Sequence, residues 1–234
     1  MGELFMRKMK LPAVMAALAA AGFGLRWLVY RTAVDGKNLI IAGHPVVIVL
    51  WVLTAAALGL AAFAGWKQDQ TAMERGADAP AFLGHGLLAV GMAMAVLLNY
   101  APMNGLLGTA WKILGLAGAV CLLVSGFDRM RGKVPYFALY GAPCLFFAVH
   151  VVAHYQLWCA NPQFTDYAFA LLAAVALAVH SYELAAGCEN LGNRRILTAT
   201  ALAAVYLCGA EMAAGVYPYL YLAGAVFCLT DLAE

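Results

Sequence analysis

Charged side chains are few in this chain: 12 acidic and 14 basic among 234 residues, 11% against 65% hydrophobic. A soluble core of this size could not hide so much apolar surface. That excludes a globular protein and leaves an all-α, polytopic transmembrane helix bundle. Polar segments are equally scarce. The longest gaps between apolar stretches, Arg31–His44 and Lys67–Ala79, are too short to fold alone. Residues 1–234 therefore read as a single integral membrane domain with no soluble domain, and any site must lie inside the bundle or at its mouths. A net charge of +2 gives no argument for nucleic acid as a partner. The lipid bilayer is the partner that the composition demands, and a homo-oligomer or a complex with another membrane protein is compatible with it.

Serine occurs only at Ser125 and Ser181, and no GxSxG, HExxH or Walker pattern occurs. A serine hydrolase, a zincin and a P-loop enzyme thus have no motif to stand on. The six cysteines form no CxxC. Cys121, Cys144, Cys208 and Cys228 fall in apolar spans, where a thiol behaves as a small hydrophobe, so no disulfide is expected.

What is present is a series of apolar spans: Pro12–Tyr30, Val46–Trp66, Ala81–Asn99, Gly105–Phe127, Tyr136–Trp158, Tyr167–Ala186, Ile196–Ala214 and Tyr219–Leu232. The last is short; if it does not cross, the count is seven rather than eight. The first resembles a signal peptide at Arg7–Lys10, but its apolar run continues to Tyr30 and reads as an uncleaved helix. Seven of the eight prolines, Pro12, Pro45, Pro80, Pro102, Pro135, Pro162 and Pro218, lie near a span's N-terminus, where the missing N–H costs nothing. Pro143 lies inside the fifth span and predicts a kink there.

With the N-terminus inside, inner segments hold Arg7, Lys8, Lys10, Lys67, Arg75, Arg129, Arg131, Lys133, Arg194 and Arg195, against Arg26, Arg31, Lys37 and Lys112 outside. This bias puts both termini in the cytoplasm, with a bacterial inner membrane as the expected location. Trp27, Tyr30, Trp111, Trp158 and Tyr167 would mark the outer interface, and Trp66, Phe127 and Tyr136 the inner one. Short loops imply successive helical hairpins. Gly65, Gly126 and Gly187 close the second, fourth and sixth spans at even spacing, which reads as helix capping in preference to duplication. The pairs Gly91/Ala95 and Gly115/Ala119 read as helix packing within the chain.

Ionisable groups at membrane depth carry the functional expectations. His150 and His154 are one turn apart on one face of the fifth span, roughly 21 and 27 Å from its inner end. Glu211 lies at a similar depth on the seventh span, roughly 22 Å from Ile196. With Arg26 and Asn99 they form an outer candidate set for substrate or proton binding. Three readings of His150, His154 and Glu211 compete: structural hydrogen bonding, proton or substrate contact, and a three-ligand metal set. A second, inner cluster contains His85, His180 and Glu183, near Asp128 and Tyr182. Haem is not expected, although His85 and His180 share a depth; no cofactor is required, and a divalent metal is the one admitted. Arg26 is expected to snorkel to outer headgroups, and Glu189 and Asp231 to be solvated.

The leading functional expectation is a small permease or channel-like protein moving a small solute or ion through an outward-facing polar cavity. The alternatives are an intramembrane metal-dependent or acid–base enzyme acting on lipid, and a non-catalytic subunit or scaffold.

Overall fold

A computed structural model describes residues 2–35, 39–68, 79–98, 105–158 and 164–232. Asn99, Pro102, Asn104, Cys159, Pro162 and Arg75 lie outside the described residues. The elements are α1 (Gly2–Thr32), α2 (Pro45–Trp66), α3 (Ala79–Leu98), α4 (Gly105–Met130), α5 (Ala138–Trp158), α6 (Phe164–Cys188), α7 (Arg194–Glu211), a 3-10 turn (Met212–Ala214) and α8 (Pro218–Leu232). The protein is an integral membrane helix bundle. Among the described residues, seven helices are long and apolar enough to cross a bilayer. The eighth, α8, has 15 residues and is roughly 22 Å long, short of the hydrocarbon thickness.

Local chemistry sets the helix ends. His44 caps α2, its ring nitrogen accepting from the Val46 amide, and Pro45 follows at the first helical position. Asn193 caps α7 through the Arg195 amide. Gly132, at φ 69°, closes α4 as its amide turns back to the Arg129 carbonyl. Pro12 departs from the expected pattern: it lies inside α1, because the helix continues past the apolar run toward the N-terminus. Pro143 is inside α5, as expected.

Helices α3 to α8 form a closed ring. Each packs on the next, and α8 returns to α3; α1 and α2 lie outside it, packed on each other and on α7. Cross-links fix the alternation of direction. Arg129 near the end of α4 meets Asp231 near the end of α8, and Arg26 near the end of α1 meets Glu211 at the end of α7. The end at which α1 begins carries the Lys/Arg excess and is called the basic face below. Outward surfaces of the helices are apolar, with Val52, Leu83, Val90, Ile113 and Val120 exposed, as a lipid-facing surface requires. Trp66, Phe127 and Tyr136 are exposed near the basic face and Trp27 near the opposite one, as expected of interface aromatics. Trp111 and Tyr167 are not; both are buried in the bundle.

Close backbone approach explains the small residues. A Cβ on Gly91 would sit 2.8 Å from that of Ala223, and one on Gly115 would meet Val96 and Phe146, so both stripes pack within the chain. Gly65 and Gly126 are not capping residues, as the sequence suggested. Each lies inside its helix, at a crossing: a Gly65 Cβ would stand 2.5 Å from the Arg195 carbonyl, and a Gly126 Cβ 3.0 Å from that of His85. We expect Gly65→Ala to lower thermal stability in detergent by about 1–3 kcal/mol through forced separation of α2 and α7. Gly59→Ala, on the open side of the same helix, should change it by less than about 1 kcal/mol. Equal melting of the two variants would refute the crossing argument.

Candidate functional site

Buried polar side chains gather at two depths in the ring. In the first layer, far from the basic face, Trp111 of α4 donates its indole N–H to His150 Nδ1 at 3.0 Å. Indole is a donor only, so this Nδ1 is the acceptor and the ring proton sits on Nε2. Nε2 lies 3.4 Å from the Tyr221 hydroxyl of α8, and that hydroxyl is 3.5 Å from the Ala170 carbonyl of α6. One direction satisfies the chain: Trp111 to His150 to Tyr221 to Ala170. It crosses the ring from α5 to α8, which lie opposite one another. His154 stacks on His150 with ring centroids 3.8 Å apart, its Nδ1 donating to the His150 carbonyl at 2.9 Å. Tyr217 covers both imidazoles edge-on.

The expected outer set is thus divided. His150 and His154 are together, but the Glu211 carboxylate is turned to Arg26, 2.5 Å away, with both side chains 2% exposed. Arg26 does not snorkel: it is held inside, over the Phe169 ring at 4.6 Å, with its other nitrogen toward the Tyr30 hydroxyl. The reason is Glu211, which offers the guanidinium a partner at its own depth. Both His150 nitrogens are engaged, and among the described residues no three His, Cys, Asp or Glu side chains converge on one point. In this arrangement a metal would have to displace Trp111 or Tyr221 to reach His150. His150 and His154 are packed among Trp111, Tyr217 and Tyr221, and Arg26 and Glu211 are buried as a separate pair, so the described residues show packed side chains where an open polar cavity was expected.

The second layer lies near the basic face and draws on five helices. Arg129 of α4 donates to Asp231 Oδ1 at 2.6 Å, and Asp231 Oδ2 accepts from His180 Nε2 of α6 at 3.0 Å. His85 of α3 donates Nδ1–H to the Ala81 carbonyl at 2.6 Å, so its Nε2 faces the Tyr140 hydroxyl of α5 at 2.9 Å. Both imidazoles meet the same Phe227 ring edge-on, at 5.0 and 5.4 Å. His85 and His180 both lie against Phe227, with His85 Nε2 facing Tyr140 and His180 Nε2 facing Asp231.

Two expectations fail here. Asp231 is not solvated: its side chain is 3% exposed and joined to Arg129. Glu183 shares the helix face of His180, but its carboxylate accepts the Asn193 amide at 2.7 Å and pins the turn between α6 and α7. The sequence also gave no sign of Trp111, Tyr140, Tyr221 and Arg129 as site members. Their signal was available only as depth, since each lies within a few turns of a histidine on another helix.

Between the layers the ring is apolar. Leu88, Met92, Leu122, Phe146, Phe147 and Leu177 are all fully buried. On α8, Tyr221 and Asp231 are ten residues apart, roughly 15 Å.

No family model, curated protein or solved structure matches the chain.

The buried Arg26–Glu211 pair makes a sharp expectation. Glu211→Gln or Arg26→Gln alone leaves one charge uncompensated and should cost about 3–5 kcal/mol of stability. The double variant should be more stable than either single one. Strict additivity in a thermal-melting cycle would show that the two charges do not depend on each other.

Proposed function

We propose that the protein is a small permease in an occluded state, moving a proton or small polar solute along the axis of the six-helix ring. One observation carries the reading: two buried polar layers lie on that axis, one toward each face, with buried apolar side chains between them. Ionisable side chains at such depth are costly in lipid, and ring helices that only needed to pack could have remained apolar. The outer seam of His150, His154, Trp111 and Tyr221 is then a closed gate, and the basic-face cluster is the second binding layer. The earlier expectation of a standing outward cavity is replaced by a route that must open.

The test is flux into proteoliposomes. Entrapped pyranine reports protons, and light scattering reports glycerol, urea and neutral amino acids. Wild-type protein should raise at least one flux above empty vesicles. His150→Gln should change that flux by about tenfold, equivalent to about 1.4 kcal/mol in the barrier, while eluting as folded protein. No flux for any probe with monodisperse wild-type protein would end the permease reading.

A second reading is favoured by one observation. A cavity of about 280 Å³ opens near the basic face, lined by Phe137, Tyr182, Glu183, Glu189 and Leu191, about one turn of α6 from His180. An intramembrane acid–base enzyme acting on lipid would use such a place. Mass spectrometry of the vesicle lipids after the same incubation distinguishes the two: altered acyl or headgroup composition belongs to the enzyme.

A further inference from the structure

We propose that the cavity at the basic face is a binding site for a primary ammonium group, supplied by the amine headgroup of a membrane lipid. The site does not depend on the permease reading. It names a ligand class for the cavity in which the second reading places its chemistry, and only a role as substrate rests on that reading.

Three segments build the cavity. Tyr182 and Glu183 come from the last two turns of α6, Glu189 and Leu191 from the turn that follows it, and Phe137 from the residue before α5. Glu183 is only 6% exposed. Its Oε2 accepts the Asn193 amide at 2.7 Å, and its Oε1 has no hydrogen-bond partner among the described residues. A buried carboxylate oxygen asks for a donor, and this one belongs to a side chain that lines a cavity. Glu189, on the same lining, is exposed and makes no ion pair among the described residues.

Charge and shape decide which ligand fits. Among the described residues lining the cavity, two are carboxylates and none is basic, so an anion is excluded. A hard divalent cation needs six or more oxygen ligands, and among the described residues no three His, Cys, Asp or Glu side chains converge. The remaining walls are the rings of Tyr182 and Phe137 and the side chain of Leu191. Aromatic faces beside carboxylates suit an organic cation, which the ring quadrupole attracts. A quaternary ammonium has no N–H to give Glu183, whereas a primary ammonium has three.

Position favours a lipid as the source. Glu183 is five residues from the end of α6, roughly 8 Å, so the cavity lies where headgroups meet hydrocarbon. Its volume of about 280 Å³ takes a headgroup but not a whole lipid. Acyl chains would stay outside, where Tyr136 and Tyr182 are exposed. Arg131 and Lys133, both exposed, stand on the turn leading to Phe137 and do not line the cavity. A headgroup phosphate on that side meets positive charge while its amine meets Glu183 and Glu189.

The experiment measures lipid retained by the full chain. Protein in a maltoside detergent is offered palmitoyl-oleoyl phosphatidylethanolamine or phosphatidylcholine, and native mass spectrometry counts the bound lipid. The two lipids have the same chains and net charge, so the general attraction of the basic face cancels. They differ in the N–H donors. The ethanolamine lipid should be retained about tenfold more strongly, the worth of one hydrogen bond to a charged group. Glu183→Gln/Glu189→Gln should bring it down to the choline level, while the amide oxygen introduced at position 183 still accepts from Asn193. If that double variant does not fold, Glu189→Gln and Tyr182→Ala, both at exposed positions, take its place, and each should weaken retention about two- to fivefold. Free ethanolamine at the lipid's concentration separates the sources: displacement assigns the ammonium site to soluble amines, and undiminished lipid assigns it to the headgroup. Equal retention of the two lipids, or a preference that survives these substitutions, overturns the site. Retained lipid that stays chemically unaltered upholds the site and removes only the enzyme's use of it.

Discussion

A charge inside hydrocarbon has to be neutralised where it stands. Neither water nor a flexible loop can reach it, so the helix carrying the counter-charge must come to it. Two such pairs organise this bundle. Arg26 and Glu211 bind α1 to α7, and Arg129 and Asp231 bind α4 to α8. Neither pair joins helices adjacent in the chain. Each therefore constrains the arrangement of helices in a way that short loops alone would not. Van der Waals packing at Gly65, Gly91 and Gly115 brings backbones close, but packing is tolerant of sliding, whereas a hydrogen-bonded ion pair at 2.5–2.6 Å is not.

The hydrogen-bonded histidines sit within that frame in different ways. His150 has both nitrogens engaged, by an indole that can only donate and by a phenol. It is fixed in one tautomer, with Nδ1 accepting from Trp111 and Nε2 facing Tyr221. His180 has one nitrogen fixed by a carboxylate and the other without a partner among the described residues. The two imidazoles have the same composition and similar burial, yet one is engaged at both nitrogens and the other at one. The difference is the chemistry of the partners, not depth.

Much of the architecture was legible from the chain. All eight helices overlap the apolar spans, and the shortness of the last was visible in advance. So was the i, i+4 face shared by His150 and His154. The partners were not legible, because they are tertiary. Helical periodicity gives the direction of a side chain relative to its own axis, but not which helix will stand opposite. Trp111 beside Lys112 has the composition of an interface anchor, and Asp231 at the end of a short helix has that of a solvated carboxylate. Both judgements fail because a closed ring turns those positions inward. Arg26 fails similarly: snorkelling is the cheapest course for a lone arginine, and only the fold reveals that Glu211 is level with it. Glu183 errs the other way, since its carboxylate serves the backbone of the next turn.

The short α8 is the element on which the two layers meet. Tyr221 near its beginning closes the chain from Trp111 and His150, and Asp231 near its end holds Arg129 and His180. Between them Gly224 packs against Leu177, and Phe227 lies against both His85 and His180. A helix of 15 residues is too stiff to let its ends move independently. It enters through a turn with Gly215 and Tyr217 at positive φ, where the chain changes direction after α7. Tyr221 and Asp231 are thus carried by one helix at a separation of roughly 15 Å. The side chains between the layers are apolar, and α8 contributes to both layers.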